Sequence, residues 1–307
     1  MKVAVVGAGA MGSLFGALLS EAGNEVWLND VWPEHVQTID RNGLQIEREG
    51  KTRRVKINAT TDAHEIGTAE LVIVFVKSTQ TRAAAEIAGP IAGKDGMVLT
   101  LQNGMGNADT ISEAVKPTLV LAGTTSHGAT LLGPGHIRHA GVGPTTIGGW
   151  ETAEEGFERA CRVADLFSDA GITCEAVEDV RIPVWNKLLI NVGINAITAL
   201  TGIKNGEILD LEATRNLSRS AVEEGMDIAR ARGITVREDM VNHVFAVAQA
   251  TAANRSSMGQ DVDNRRQTEI GAINGFIVRE AKALGLETPV NQTLTGLIET
   301  LENHYLR

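Results

Sequence analysis

A lysine and two asparagines recur at every fourth position of one predicted helix. Lys187, Asn191 and Asn195 are spaced i, i+4, i+8 and therefore lie along one side of the helix, which also carries Ile190 and Ile194. An unpaired buried amide costs about 1–3 kcal/mol, so these polar groups either satisfy one another in a core or line a polar pocket. We favour the pocket, where a protonated lysine can give its proton to a developing alkoxide.

A carboxylate shares an apolar stripe further along the chain. Glu269 lies on the apolar side of a helix predicted over residues 265–284. The apolar residues on that side are Ile273, Phe276 and Ile277. A polar break over residues 254–261 precedes this helix and is expected to supply Ser257. Alternatively, Glu269 is a surface residue, on a helix whose apolar residues do not keep to one side. The set as a whole suits reduction of a carbonyl by a nicotinamide cofactor.

A glycine-rich turn near the N-terminus has the spacing of a dinucleotide-binding loop. It consists of Gly7, Ala8, Gly9, Ala10, Met11 and Gly12. It directly follows an apolar strand and precedes an amphipathic helix, which is the context that the motif requires. Gly7 permits the tight turn, Gly9 lets the backbone approach a pyrophosphate, and Gly12 lets the helix pack on the strand. The alternative is a glycine turn without a ligand.

The end of the second predicted strand carries an acid that selects the cofactor. Asp30 lies 18 residues beyond Gly12, close to the roughly 20 at which an acid usually holds the adenosine ribose. A carboxylate repels a 2′-phosphate, and the following residues up to Pro33 bring no cation. The sequence therefore favours NADH over NADPH. The alternative is that Asp30 only caps the next helix.

Polar residues follow two further strands of the predicted sheet. Lys77 follows the apolar run 71–76, and Asn103 follows the strand at 97–101. Ligands bind outside the carboxyl ends of parallel strands, so we expect both side chains to contact cofactor or substrate. For Lys77, the alternative is a solvated lysine.

The elements that must position these residues fall into two classes. Strands are predicted over residues 3–6, 25–29, 71–76, 97–101, 120–125 and 145–148, with an inserted hairpin over 44–49 and 53–58. Helices alternate with them over 11–22, 33–42 and 79–88, and then follow one another over 185–200, 212–232, 239–253, 265–284 and 292–302. We therefore predict an α/β Rossmann domain over residues 1–178, with a mostly parallel, doubly wound sheet, and an all-α domain over residues 179–307.

The composition excludes several classes of function. The formal net charge of -10 over 307 residues argues against nucleic-acid binding, which needs a basic surface. Cys161 and Cys174 form neither a CxxC motif nor a metal-ligand cluster, which predicts reduced thiols, no metal and a cytoplasmic protein. Glycines interrupt the apolar N-terminal run, so we interpret it as strand, turn and helix and not as a signal peptide. No membrane span is predicted.

Ordered motifs along nearly the whole chain resemble those of the ketopantoate reductase family, the 2-dehydropantoate 2-reductases. The motifs are residues 7–12, Val76-Lys77, 101–106, 123–129, 185–188, Asn191 with Asn195, 205–207, 256–261, 268–270 and 273–276. The resemblance implies reduction of 2-dehydropantoate to (R)-pantoate, a step toward pantothenate and coenzyme A, usually with NADPH.

The resemblance also implies a role for each matching residue. Lys187 would be the catalytic lysine and proton donor, and Glu269 the carboxylate that orders the site and touches the cofactor. Substrate contacts would be Asn191, Asn195, Asn205 and Ser257; nucleotide-side positions would be Lys77, Asn103 and Ala129, and Asn103 would also face the substrate.

One departure from the family keeps alternatives open. Members that use NADPH typically carry an arginine at the position of Val31, whereas this chain has Val31 preceded by Asp30. NADH-dependent D-2-hydroxyacid dehydrogenases of the same superfamily have a similar acid followed by Trp-Pro, but they tend to lose the serine-rich motif that residues 256–258 keep here. A noncatalytic redox sensor of the same fold would not need Lys187 and Glu269. A small 2-oxo acid is the expected partner, and a homodimer through the helical domain is expected by analogy alone.

Overall fold

The chain forms two compact units. The computed structural model describes residues 1–116, 119–151 and 154–307. Unit 1 comprises residues 1–102 and 107–180, and unit 2 comprises residues 103–106 and 181–307. The short segment 103–106, which the sequence places in the first half, therefore clusters with the helical second half.

Unit 1 alternates strands with helices. Its strands are β1 (Lys2–Val6), β2 (Glu25–Asn29), β3 (Leu44–Arg48), β4 (Lys51–Val55), β5 (Asn58–Thr60), β6 (Leu71–Val74), β7 (Met97–Thr100), β8 (Val120–Thr125), β9 (Gly128–Gly133), β10 (His136–Gly141), β11 (Thr145–Gly149) and β12 (Cys174–Ala176). Its helices are α1 (Ala10–Glu21), α2 (Pro33–Asn42), α3 (Thr81–Ala92), α4 (Asn107–Ala114) and α5 (Glu154–Asp169).

The strands of unit 1 form two sheets. The larger has the order β12-β11-β8-β7-β6-β1-β2-β5, in which only the β8–β11 pair is antiparallel among the described strands. This confirms the mostly parallel sheet with crossover helices. The smaller sheet has the order β4-β3-β10-β9. It contains the predicted hairpin, β3 with β4, but the predicted second arm is wrong beyond Val55, because β5 pairs with β2 in the larger sheet.

Several element ends differ from the sequence prediction. The strand β6 ends at Val74, before the predicted Val76, and α3 runs beyond Ala88 to Ala92 through Pro90. A proline in the last turn removes a single helical hydrogen bond, so it does not stop the helix there. The strands β9, β10 and β12 were not predicted. The first two form a local hairpin, whereas β12 pairs in parallel with β11, which precedes it by about 29 residues.

The core of unit 1 is centred on α1. Phe15 is fully buried and packs against Phe75, Phe167 and His127, with ring centroids 5.1, 5.5 and 5.6 Å away. The helix contacts β1 and β2 of the larger sheet and β9 and β10 of the smaller one. The two sheets of unit 1 therefore share one hydrophobic core, to which α1 contributes from its first turn.

Unit 2 is helical. Its helices are α6 (Arg181–Thr201), α7 (Glu212–Ala231), α8 (Met240–Ala250), α9 (Ser257–Asp263), α10 (Asn274–Leu284) and α11 (Pro289–Tyr305). The helix α6 lies at the centre, in contact with α7, α8, α9 and α11. Gly193 allows this close packing, since a Cβ there would lie 2.7 Å from Val222 and 2.9 Å from Val244. Among the described residues, none of the helices has the length and apolarity needed to cross a membrane.

The helix predicted over residues 265–284 is wrong in its first half. Arg265 has a positive φ of 52°, which a helix cannot accommodate, and the chain then passes through a short 3-10 turn at Ile270–Ala272. The helix α10 begins only at Asn274. The backbone N–H of Thr268 donates to the Glu302 carboxylate at 2.7 Å, a tertiary bond that fixes the irregular segment. Glu269 is therefore not part of a helical stripe.

Three histidines are buried in unit 1 in neutral form. His127 and His139 are each 8% exposed and share a hydrogen bond of 3.2 Å between Nδ1 and Nε2, while His35 is 1% exposed. Burial is the largest cause that lowers the pKa of each below its usual 6.5. For the pair, a second proton would place two like charges side by side.

These histidines predict acid-sensitive stability. As the pH falls below about 6.5, the unfolded chain binds more protons than the folded chain. The free energy of unfolding therefore decreases as the pH is lowered. We expect the Tm, measured by calorimetry, to drop by roughly several degrees between about pH 7.5 and about pH 5.5. His139→Gln should reduce this drop, whereas the exposed His304→Gln should leave it unchanged. An equal drop in all three proteins would contradict the assignment.

Candidate functional site

The glycine turn of unit 1 is shaped by steric contacts with its neighbours. Gly7 has a φ of +96°, and a Cβ on it would lie 2.7 Å from Val76 and 2.9 Å from the backbone of Phe75. A Cβ on Gly12 would collide with the carbonyl oxygen of Gly7. The turn is therefore pressed between the end of β6 and the first turn of α1, and glycine is required at both positions.

The outer side of this turn suits an anion. A Cβ on Gly9 would meet no atom of the described residues within 4 Å. The helix α1 begins at Ala10 without a side-chain cap, and its fully described first turn carries no acid. The backbone N–H groups and the positive end of the helix dipole thus face open space. This cradle fits the pyrophosphate of a dinucleotide.

Asp30 holds the turn through hydrogen bonds to the backbone. Its Oδ2 accepts the N–H of Ala8 at 2.8 Å, and its Oδ1 accepts the N–H of Trp32 at 3.0 Å. The residue that begins α2 as its N-cap is Trp32, not Asp30. The carboxylate therefore stands beside the glycine turn, with lone pairs remaining for a further donor such as a ribose hydroxyl.

The other positions expected on the nucleotide side lie in different elements of unit 1. Lys77 is exposed and directly precedes the 3-10 turn Ser78–Gln80. Gln102, whose role the sequence did not reveal, ties the neighbouring strand ends together, since Nε2 donates to Val76 O and Thr81 Oγ1, both at 2.8 Å. Ala129 lies on β9 of the smaller sheet, half-buried against the core.

In unit 2, α6 carries the candidate acid. Lys187 lies in its second turn, on the same side as Asn191 and Asn195, as the spacing predicts. Burial of its ammonium is the largest cause that lowers the pKa of Lys187 to about 8, and the charge of Glu269 acts in the opposite direction. At neutral pH this lysine is therefore mostly protonated, but it releases its proton far more readily than a solvated lysine.

Glu269 reaches Lys187 from an irregular segment, not from a helix. The residue is 6% exposed and precedes the 3-10 turn, where its carbonyl oxygen accepts the N–H of Ala272 at 2.9 Å. The hydrogen bond between Thr268 and Glu302 anchors the residue next to it. The expected burial of this carboxylate is thus present, although the helical phasing used to infer it is not.

Asn195 meets the start of α9. Its Nδ2 lies 3.5 Å from the Oγ of Ser257, which is exposed. The adjacent Ser256 has another task, because its Oγ caps α9 by accepting the N–H of Gly259 at 2.9 Å and bonds the hydroxyl of Thr198 at 2.7 Å. The segment interpreted from sequence as a polar break is therefore a capped helix that presents one serine outward.

Asn205 is buried but only partly satisfied. Its Nδ2 donates to the Oγ1 of Thr251 at 3.0 Å, and its backbone N–H donates to Asn254 O at 3.0 Å. The Oδ1 has no hydrogen-bond partner within the part of the chain that the structure describes. A buried acceptor left unpaired costs about 1–3 kcal/mol, so a ligand with a hydroxyl donor would stabilise it.

Asn103 lies in the segment that joins unit 2. The N–H of Met105 donates to the carbonyl of Ala272 at 2.9 Å, and a Cβ on Gly104 would lie 2.6 Å from that same oxygen. The segment 103–106 is therefore packed against the 3-10 turn that follows Glu269. It brings Asn103 close in structure to the carboxylate segment, 166 residues away in sequence.

An arginine that no sequence motif indicated stiffens this region. The guanidinium of Arg255 donates to the carbonyls of Thr198 and Ile203 and forms an ion pair of 2.8 Å with Asp263. It thus ties the start of α9 to the end of α6. No local sequence pattern indicates these bonds, because Thr198 and Ile203 precede Arg255 by 57 and 52 residues. Among the described residues, no group of three or more His, Cys, Asp or Glu is placed to hold a metal ion.

Comparison with known families places both halves of the chain. Sequence models described as ketopantoate reductase PanE/ApbA match residues 3–152, and those of its C-terminal part match residues 179–302. A 2-dehydropantoate 2-reductase from Halobacterium salinarum is 39% identical over 300 residues, covering 97% of this chain and 98% of the relative. One from Pyrococcus abyssi is 37% identical over 302 residues, covering 98% of each.

Solved structures agree with the sequence comparison. A PanE/ApbA family ketopantoate reductase from Ralstonia eutropha has a TM-score of 0.91 at 35% identity, and a D-mandelate dehydrogenase in a ternary structure with NADH and anilino(oxo)acetate has a TM-score of 0.93 at 30% identity. Each comparison covers 100% of both chains. With both family models matched over most of its length, the chain belongs to the ketopantoate reductase family.

Proposed function

We propose that this protein is an NAD(P)H-dependent reductase that converts 2-dehydropantoate to (R)-pantoate. The observation that carries the proposal is the pairing of Lys187 with Glu269 in unit 2, in a chain whose relatives bear the name 2-dehydropantoate 2-reductase. Lys187 is half-buried, and desolvation of its ammonium lowers its pKa to about 8; together with the buried carboxylate of Glu269, this suits proton transfer near neutral pH.

Lys187 acts as the general acid. A bound nicotinamide supplies the hydrogen and electron pair for the carbonyl carbon of the substrate. As charge develops on the carbonyl oxygen, Nζ of Lys187 gives it a proton and becomes a neutral amine, which solvent later protonates. Glu269 keeps Lys187 protonated at neutral pH, since its charge raises the pKa that burial lowers.

Four polar side chains of unit 2 bind and orient the substrate. They are Asn191, Asn195, Asn205 and Ser257. The unpaired Oδ1 of Asn205 suits the hydroxyl of the substrate, and Asn195 with Ser257 offers both donors and acceptors. Sites that hydrogen-bond a substrate hydroxyl reject analogues that lack it, which favours a hydroxylated 2-oxo acid. Asn103 contributes from the segment that packs beside Glu269.

The glycine turn 7–12 holds the cofactor pyrophosphate, with Lys77 and Ala129 on the nucleotide side. We infer that NADH is preferred. Asp30 stands beside the turn as a fixed negative charge, held by the N–H groups of Ala8 and Trp32, and Val31 is 82% exposed and brings no cation for a 2′-phosphate. Phosphate and carboxylate charges would repel each other at this position.

A second candidate is an NADH-dependent D-2-hydroxyacid dehydrogenase. The similarity to D-mandelate dehydrogenase, at a TM-score of 0.93, and the carboxylate at Asp30 favour it. Ser257, exposed at the start of α9, supports the pantoate alternative, because its hydroxyl suits a substrate with an additional hydroxyl group.

A substrate comparison tests the proposed function. With NADH or NADPH in excess, 2-dehydropantoate should be reduced with a kcat/KM at least about a hundredfold above 2-oxoisovalerate, which lacks the hydroxymethyl group. Phenylglyoxylate tests the second candidate. Loss of nicotinamide absorbance gives the rates. A kcat/KM that is highest for phenylglyoxylate would favour the hydroxyacid dehydrogenase, and no reduction of any of the three would contradict both.

The pH profile tests Lys187 as the acid. Since only protonated Lys187 donates, kcat/KM for reduction should fall as pH rises through about 8. Glu269→Gln removes the charge that raises this pKa. The fall of kcat/KM at high pH, the alkaline limb of the profile, should therefore move to lower pH. The exposed Glu299→Gln is the matched control and should leave the limb in place.

Lys187→Ala should lower kcat by about a hundredfold or more and abolish the limb, while the Kd for the cofactor changes little. A limb that persists in Lys187→Ala, or that stays in place in Glu269→Gln, would contradict the assignment.

Exchanging charges at the end of β2 tests the cofactor preference. Asp30→Ala combined with Val31→Arg should shift the ratio of kcat/KM for NADH over NADPH by at least about tenfold toward NADPH, equivalent to about 1.4 kcal/mol. Asp30→Asn, which removes the charge but keeps an acceptor for Ala8, should give part of the shift. If the ratio stays unchanged in both variants, Asp30 acts only through its backbone contacts.

A further inference from the structure

A line of hydrogen bonds connects the turn before β10 to the glycine turn. The N–H of Gly135 donates to Nδ1 of His35 at 3.1 Å. The Nε2 of the same ring lies 3.4 Å from Oγ of Ser13, and that Oγ donates to the carbonyl of Ala8 at 2.7 Å. His35 and Ser13 are essentially fully buried, at 1% and 0% exposed. Water therefore does not compete for these bonds.

The direction of the bonds fixes the state of the imidazole. Because a backbone N–H can only donate, Nδ1 of His35 accepts and carries no proton. The neutral ring then carries its proton on Nε2, which donates to the Oγ of Ser13 at 3.4 Å and also interacts with the backbone of Ala8. Burial lowers the pKa of His35, so this neutral form persists at neutral pH. The donors thus all point the same way, from Gly135 toward Ala8, and such a series is mutually polarising.

The last bond acts on the peptide that faces the open side of the turn. The carbonyl of Ala8 and the N–H of Gly9 belong to one planar peptide and point in opposite directions. Holding the carbonyl therefore aims the N–H, and a donor on the carbonyl makes that N–H a stronger donor. The space beside Gly9 is open to the described chain, and the N–H of Ala8 is already held by Asp30 at 2.8 Å.

We infer that His35 is a positioning residue for the dinucleotide, acting through Ser13 to aim and polarise the Ala8–Gly9 peptide toward the pyrophosphate. The inference rests on the proposed function for the identity of the ligand. The far end of the line is fixed independently of the ligand. Gly135 has a φ of +64°, its carbonyl accepts the N–H of Gln45 at 2.8 Å, and a Cβ on it would lie 2.6 Å from Thr38. The smaller sheet thus fixes the position and orientation of the His35 imidazole.

Equilibrium titration with NADH and with NADPH, without substrate, tests this inference. Ser13→Ala removes the relaying hydroxyl and suits a helix, so the variant should fold. His35→Phe keeps a ring but removes both nitrogen atoms. Each should raise the Kd of the better-bound dinucleotide by about five- to tenfold. The double variant should raise it no further than the weaker-binding single variant, because the two groups act in series.

Two variants make the readout specific. His35→Gln keeps an N–H near the position of Nε2 and should restore most of the affinity lost in His35→Phe. Ser20→Ala removes a hydroxyl from the same helix, where it bonds the carbonyl of Lys56 at 3.2 Å, and should leave the Kd unchanged. At saturating cofactor, kcat and the KM for the 2-oxo acid should stay within about twofold in all variants.

Unchanged Kd in Ser13→Ala and His35→Phe would overturn the inference, as would an equal rise in Ser20→Ala. A wild-type protein that binds neither dinucleotide would overturn the inference and the proposed function together. A wild-type protein that binds a dinucleotide but reduces no 2-dehydropantoate would overturn only the proposed reaction, and the titrations would still decide the role of His35.

Discussion

Lys187 places a positive charge on the central helix of unit 2, where burial of the ammonium lowers its pKa to about 8. A cation on the central helix of a bundle is costly unless a partner compensates it, and Glu269 is that partner. The carboxylate is itself buried, so its own position must be fixed from outside. The bond between Thr268 and Glu302 and the packing of residues 103–106 on Ala272 provide this support. The irregular segment that carries Glu269 is therefore anchored on both sides of this carboxylate.

Local patterns predicted the parts of the structure that local physics determines. The turn at Gly7 and the polar side of α6 both follow from spacing within one turn or one helix, and the structure has both elements where they were expected. Glu269 was placed on a helix that does not exist there, because the positive φ of Arg265 and the bond to Glu302, 34 residues beyond Thr268, leave no trace in apolar periodicity. The bond between Gly135 and His35 spans 100 residues and was equally invisible.

The sequence left two alternatives for Asp30, an acid that contacts the cofactor or a cap of the next helix, and the side chain can serve both. It does bond the backbone at the start of the next helix, but it also bonds Ala8 in the glycine turn. Its charge and its acceptor geometry are separable properties. The charge enters only the proposed preference between the two nucleotides, whereas the acceptor geometry is seen directly in the bonds to Ala8 and Trp32.

Because residues 103–106 belong to unit 2, they affect how the two halves of related chains could be recombined. Flanked on both sides by unit 1, this segment supplies the N–H that the carbonyl of Ala272 accepts. A recombinant that joins the first half of one relative to the helical half of another would combine a foreign segment 103–106 with a resident 3-10 turn. Gly104 approaches Ala272 so closely that no side chain fits there, so position 104 must remain a glycine in such a recombinant, whichever parent supplies it. The order of residues along the chain suggests two modules joined end to end, but the helical unit also needs four residues that lie within the first half of the sequence.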